Sequence, residues 1–135
     1  MGRRSIGEAA RKLGVSIDTL RLYERRDLLL APVKRDAVQR RWYDDDDLEW
    51  IETCLYLRGT GMSLADVARY AALVRAGEGT EPERLALLRA HLDGVTRRLA
   101  EVQGWADAVA HKVRYYEAVV AGGASTCAVP AATAG

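Results

Sequence analysis

Apolar positions change their spacing three times along this chain, and each change predicts a different element. Ile6, Ala9, Ala10 and Leu13 recur at helical spacing, and Gly14 stops the pattern as a helix-ending glycine does. Ser16 is suited to cap a second helix, in which Ile17, Leu20 and Tyr23 or Glu24 fall on related faces. Arg21 and Arg25, four apart, share another face. After Leu28-Leu29-Leu30 comes Pro32, which cannot continue a helix. "APVKRDAVQRRWY" then alternates polar and basic residues, predicting a short hairpin or looped wing. A third helix follows Asp44, carrying Leu48, Ile51, Leu55 and Trp50 inward. A fourth follows the S-x-x-D cap of Ser63 and Asp66, with Leu64, Val67, Ala68, Ala71 and Leu73 as its apolar face. Thr80 and Glu83 form a T-x-x-E capping box with Pro82 in the first turn, and no proline follows until Pro130.

Within that last span the period becomes seven. One set is Leu85, Leu92, Leu99, Ala106, Val113 and Val120; the other is Leu88, Val95, Val102, Val109 and Tyr116. A helix from residue 81 to 120 would be about 60 Å long. Such a seam cannot be buried against a small head alone, so a partner helix is required, most simply from an identical chain. Gly122-Gly123 ends the pattern. The expected organisation is a helical head over residues 1–76, a coiled-coil dimerisation helix over 80–121 and a flexible tail over 122–135. The fold class is mainly α: a winged helix-turn-helix head followed by a long coiled-coil helix.

Charge sharpens the picture. Residues 1–43 hold 11 Lys/Arg against 5 Asp/Glu, a balance of +6, whereas the remainder is −5. Such asymmetry suggests a nucleic-acid-binding end, although an uneven surface alone would produce it too. Two short helices with a tight Gly-Val turn also occur in many helical proteins. Followed by a basic wing, they describe a DNA-binding unit whose second helix enters the major groove. The four aspartates of "RRWYDDDDLEW" then open a helix. Asp44 caps it, and Asp45, Asp46 and Asp47 sit where exposed N–H groups and the helix dipole favour carboxylates by roughly 0.3–1 kcal/mol each. A hard-cation site is the competing reading, but residues on one turn converge poorly on one ion.

With 49% apolar and 29% charged residues the composition is that of an ordinary globular chain. No apolar run approaches a membrane span, and two cysteines are too few for a disulfide framework, so a cytoplasmic protein with no membrane partner is expected. No Ser/His/Asp set, glycine-rich phosphate loop or metal cluster points to an enzyme or a cofactor. His91 and His111 have no cysteine at ligand spacing. Cys54 reads either as a small core residue or as a thiolate sensor, with Arg58 in i, i+4 reach to favour the anion.

"SIGEAARKLGVSIDTLRLYE", "LL" before Pro32, "RRWYDDDDLEWI" and "LRGTGMSLADV", in that order, resemble the MerR family of bacterial transcription regulators. "APVKRDAVQRRWY" and "YAALVRAGEGTEPERLALLRAHL" look most like its aldehyde- and thiol-stress branch. The resemblance implies a homodimer joined by an antiparallel coiled coil. It also implies a palindromic promoter whose overlong spacer is distorted so that RNA polymerase engages both promoter elements. On this reading Ser16, Thr19 and Arg21 contact bases, while Tyr23, Arg25, Lys34, Arg35, Arg41 and Tyr43 contact phosphates, and Cys54 is the possible sensor of aldehydes, electrophiles or oxidants. Two departures stand out. Leu22 occupies the place of a first tyrosine, and Asp27 replaces a common glycine, a change that a left-handed backbone tolerates better in aspartate than in most residues. The alternative reading is a coiled-coil adaptor whose helical head binds protein.

Overall fold

A computed structural model describes residues 2–122. In chain order the elements are β1 (Arg4–Ser5), α1 (Ile6–Leu13), α2 (Ile17–Arg25), β2 (Lys34–Arg35), β3 (Arg41–Tyr43), α3 (Asp45–Gly59), α4 (Leu64–Ala76) and α5 (Glu81–Val120). The described residues separate into two compact units, 2–91 and 92–122. The tail and Cys127 lie outside the described residues, and among those described no helix is long and apolar enough to cross a membrane.

Local chemistry sets the helix ends in the first unit. Ser5 and Glu8 close a capping box on α1, and Gly14 ends it in the left-handed region at φ 70°. Ser16 caps α2, its Oγ accepting from the Thr19 N–H. Asp27 adopts φ 58°, so aspartate does fill the left-handed turn after α2. Asp44 and Asp47 form a reciprocal box on α3. Ser63 caps α4 through the Asp66 N–H. Gly122, at φ 86°, follows the end of α5.

The cap expected at the start of α5 does not form. Thr80 Oγ1 instead donates towards the Leu73 and Gly77 carbonyls and accepts from Arg84 Nε. The hydroxyl therefore serves the carbonyls left open by the end of α4, while Glu81 Oε2 takes the Gly79 N–H.

The wing is a three-stranded antiparallel sheet in the order β1-β3-β2, with Arg4 opposite Tyr43 and Lys34 opposite Trp42. The third strand, β1, precedes α1 and is not apparent from a two-strand reading of the basic segment. Ala9, Leu20, Leu28, Ile51, Cys54, Met62 and Val67 are among the buried residues of one contiguous core. Leu87 and Leu88 of α5 pack against it, so Leu88, expected in the coiled-coil seam, belongs in part to the head.

Candidate nucleic-acid interface

Helix α2 is seated by Leu20 and Tyr23 on its inner face and leaves Ser16, Arg21 and Arg25 exposed, with Thr19 half-buried. Ser16 Oγ accepts from the Thr19 N–H at 3.1 Å and lies 3.0 Å from Thr19 Oγ1. The two hydroxyls thus share one hydrogen bond at the start of the helix, leaving further donor and acceptor capacity for a neighbour. Among the described residues Arg21 pairs with Asp18 at 3.8 Å, an exposed i, i+3 pair that is easily exchanged for another partner. The three residues expected to read bases therefore lie on the first turns of one helix, which is where a recognition helix meets base edges.

One residue joins this helix to the wing. Glu24 accepts from Arg41 Nε at 2.7 Å and pairs with Arg35 at 3.5 Å, so a single carboxylate ties both wing strands to α2. In the sequence Glu24 stands only as an alternative to Tyr23 on the face of Ile17 and Leu20. Its signal was an acid in the last turn of a helix otherwise followed by arginines. On the opposite side of β3, Trp42 lies under Arg3, 4.3 Å from its guanidinium carbon, with Lys34 at 5.3 Å. Asp36 organises the turn between the strands, accepting from the Val38 and Arg40 N–H groups and from Arg40 Nε.

Two of the expected phosphate contacts, Tyr43 and Tyr23, are corrected. Tyr43 is 1% exposed, and its hydroxyl is buried with no hydrogen-bond partner among the described residues. Alternation along β3 turns Tyr43 inward from Trp42, and burial, with Glu24 nearby, raises its pKa. Tyr23 is 4% exposed for the same kind of reason, since it shares the inner face of α2 with Leu20. Lys34 bonds Asp47 at 2.9 Å and Asp44 at 3.1 Å, and this hydrogen bonding raises its pKa. It clasps the wing to the start of α3 while its side chain stays 36% exposed. The acidic run is thereby accounted for. Asp44 and Asp47 cap the helix and hold Lys34, and Arg4 binds Asp45 and lowers its pKa.

Of the two readings of Cys54, the geometry favours the core residue. It is 0% exposed, and burial pushes its thiol up to about 12. A thiol of that pKa has almost no thiolate at neutral pH. Its Sγ lies 3.8 Å from the Leu28 carbonyl oxygen, to which Trp50 Nε1 also donates at 2.7 Å. Arg58, expected to favour the anion, donates instead to the Met62 carbonyl.

The second unit carries the remaining expected residues. Leu92 is 61% and Leu99 66% exposed, and Val102, Ala106, Val109, Val113, Tyr116 and Val120 are likewise exposed, with Val95 half-buried. Leu85, in the first unit, is exposed as well. Trp105, adjacent to the Ala106 seam position, is also exposed. Contiguous apolar surface repeated over several turns marks a face made to be covered.

Comparison with known proteins gives this geometry its context. The profile of the MerR HTH family regulatory proteins matches residues 4–73. An HTH-type transcriptional regulator of Haemophilus influenzae is 36% identical over 110 residues, covering 82% of this chain and 81% of the relative. The regulator AdhR of Bacillus subtilis is 36% identical over 84 residues, 62% of this chain and 59% of AdhR. The crystal structure of HiNmlR, a MerR family regulator lacking the sensor domain and bound to promoter DNA, superposes with a TM-score of 0.79. It is 34% identical, with 90% of this chain and 97% of that one covered. A MerR-type regulator from Listeria monocytogenes has the same TM-score and identity, over 84% and 86% of the two chains. These matches set aside both the enzyme and the protein-binding adaptor: the chain belongs to the MerR family and is a DNA-binding transcriptional regulator.

Proposed function

We propose that the chain acts as a homodimer on a palindromic promoter, with α2 in successive major grooves and the wing on the flanking backbone. Ser16, Thr19 and Arg21 are assigned to base edges, and Arg25, Arg35 and Arg41 to phosphates. Arg35 and Arg41 reach DNA from a braced position, since Glu24 already fixes their strands against α2. The observation that carries this reading is the exposed polar edge of α2 beside that braced wing. The likeness to promoter-bound HiNmlR over 90% of this chain supports it.

The dimer rests on the seven-residue stripe of α5, whose members from Leu92 onward are mostly exposed in a single chain. Joining two heads through that stripe gives the two-fold symmetry that a palindrome needs. Distortion of the promoter spacer, and through it access by RNA polymerase, completes the mechanism. In such indirect readout, phosphate contacts on two half-sites offset the cost of twisting the intervening DNA. Cys54 is assigned to the core of the head rather than to signal reception.

The test is a fluorescence-anisotropy titration of the full chain on its own promoter at several salt concentrations. A specific complex should weaken steeply with salt. Arg21→Ala should lose about 1–3 kcal/mol against the specific site and little against unrelated duplex. Equal losses on both would remove Arg21 from base recognition.

A further inference from the structure

A cavity of about 240 Å³ lies between the segment that leads into the wing and the first turns of α3. Leu29, Leu30, Val33, Trp50 and Ile51 supply apolar walls, and Tyr43 contributes its ring from β3. At its polar edge are Asp46 and the Lys34–Asp44–Asp47 clasp. Apart from Lys34 and the buried Tyr43, none of these side chains is a candidate for phosphate contact, and none is needed for α2 to meet bases.

We propose that this cavity is an effector site for a small uncharged aromatic molecule with one hydrogen-bonding group. Size is the first argument. A cavity of about 150 Å³ lined by aliphatic side chains admits benzene, so 240 Å³ accommodates one ring with a short substituent. Wall chemistry is the second. Trp50 is already stacked on Tyr70 at 5.7 Å, and its indole N–H is held by the Leu28 carbonyl, so the wall is rigid before anything binds. Charge is the third. Lys34 is neutralised by Asp44 and Asp47, and Asp46 adds a further carboxylate, so nothing at the edge receives an anion. A cation would have to exchange its hydration for apolar walls. The fourth is the buried Tyr43 hydroxyl, a donor and acceptor without a partner in a residue that forms part of the lining.

The position gives binding a consequence. Val33 and Lys34 lead into and begin β2, and Tyr43 ends β3, so both wing strands border the cavity. Movement of the wing on DNA then changes the cavity, and affinity for the guest and affinity for DNA alter each other by the same factor. The binding half of this proposal stands without DNA. The coupling half rests on the DNA reading above.

Benzyl alcohol is the probe, titrated into the full chain and followed by backbone and indole amide NMR. A saturable, roughly millimolar response centred on Trp50, Ile51 and Leu29 is expected. Ala31→Trp, an exposed lining position, should weaken it at least tenfold while the remaining spectrum stays that of the folded protein. Tyr43→Phe should weaken benzyl alcohol several-fold and leave toluene unchanged. On promoter DNA, saturating benzyl alcohol should change affinity at least threefold, an effect absent in Ala31→Trp. The additive-free titration checks the DNA reading separately. Shifts that never saturate, or equal binding by Ala31→Trp and by Leu30→Trp, overturn the site. Tighter binding of benzoate or benzylamine overturns the uncharged class, and saturation with unchanged DNA affinity overturns the effector role.

Discussion

The head and the distal part of α5 are both largely helical, yet they are stabilised in opposite ways. In the head, caps, a buried core and a ring of ion pairs are satisfied within one chain: Asp44 with Asp47, Cys54 beside the Leu28 carbonyl, Glu24 with two arginines. From Leu92 onward no residue of α5 is fully buried, and its large apolar side chains repeat every seven residues on the surface. A lone 40-residue helix of ordinary propensity gains most of its stability from tertiary packing. The head thus satisfies its core within one chain, whereas the distal helix leaves its apolar repeat uncovered, as the proposed dimer requires. DNA recognition and assembly can accordingly be damaged separately.

Breaking the distal half should have the largest effect. Asp at both Leu92 and Leu99 would place charges in the seam, where desolvation without a partner is costly. The expected outcome in analytical ultracentrifugation is a monomer whose head keeps its amide spectrum. A double variant that remains dimeric would show that the seam lies elsewhere on the helix.

The head should break by cavity formation instead. Ile51, fully buried, should cost about 2–5 kcal/mol when replaced by alanine, read from urea unfolding. Leu99→Ala should scarcely alter unfolding of the head. If both variants shift head unfolding equally, the division between the two regions fails.

Cys54 gives a smaller and more diagnostic effect. Cys54→Ser puts a hydroxyl in the apolar core beside the Leu28 carbonyl, and a loss of about 1–3 kcal/mol is expected. A thiol reagent should modify Cys54 in the native protein only as fast as the head opens. Fast labelling at neutral pH would return Cys54 to the list of sensors.

The smallest effect concerns pH. Asp44 and Asp45 have lowered pKa values, the first chiefly from the Asp47 N–H and the second from Arg4. A depressed carboxylate stabilises above its unfolded pKa, near 3.9, and that contribution disappears as pH falls through the lower folded value. Stability of the head should thus fall below about pH 4, and Asp45→Asn should flatten the fall. An unchanged acid limb in Asp45→Asn would deny the Arg4 pair a role.

The same contrast explains what the sequence revealed. Helix ends were legible wherever one residue decides them: Gly14, Ser16, Asp44 and even Asp27 in its left-handed turn. The heptad was legible because every position repeats the same signal, and it placed α5 at Glu81–Val120. Pairings across long separations were not. Nothing local in Arg4 announces a strand opposite Tyr43, and Glu24 acquires its two arginines only when the wing folds back. Tyr23 and Tyr43 read as outward because aromatic residues near arginines suit phosphates, and burial on the inner faces of α2 and β3 decides otherwise. Thr80 missed its cap because two carbonyls at the end of α4 compete for its hydroxyl.

The most direct test of a self-sufficient head joined to a partner-dependent helix is the stoichiometry of the promoter complex. Full-length protein titrated onto a single palindromic site, above its dissociation constant, should saturate at two chains per duplex by sedimentation. Leu92→Asp with Leu99→Asp should retain only weak, salt-sensitive binding without that stoichiometric end point. One chain per duplex at saturation, or undiminished affinity in the double variant, would contradict the account.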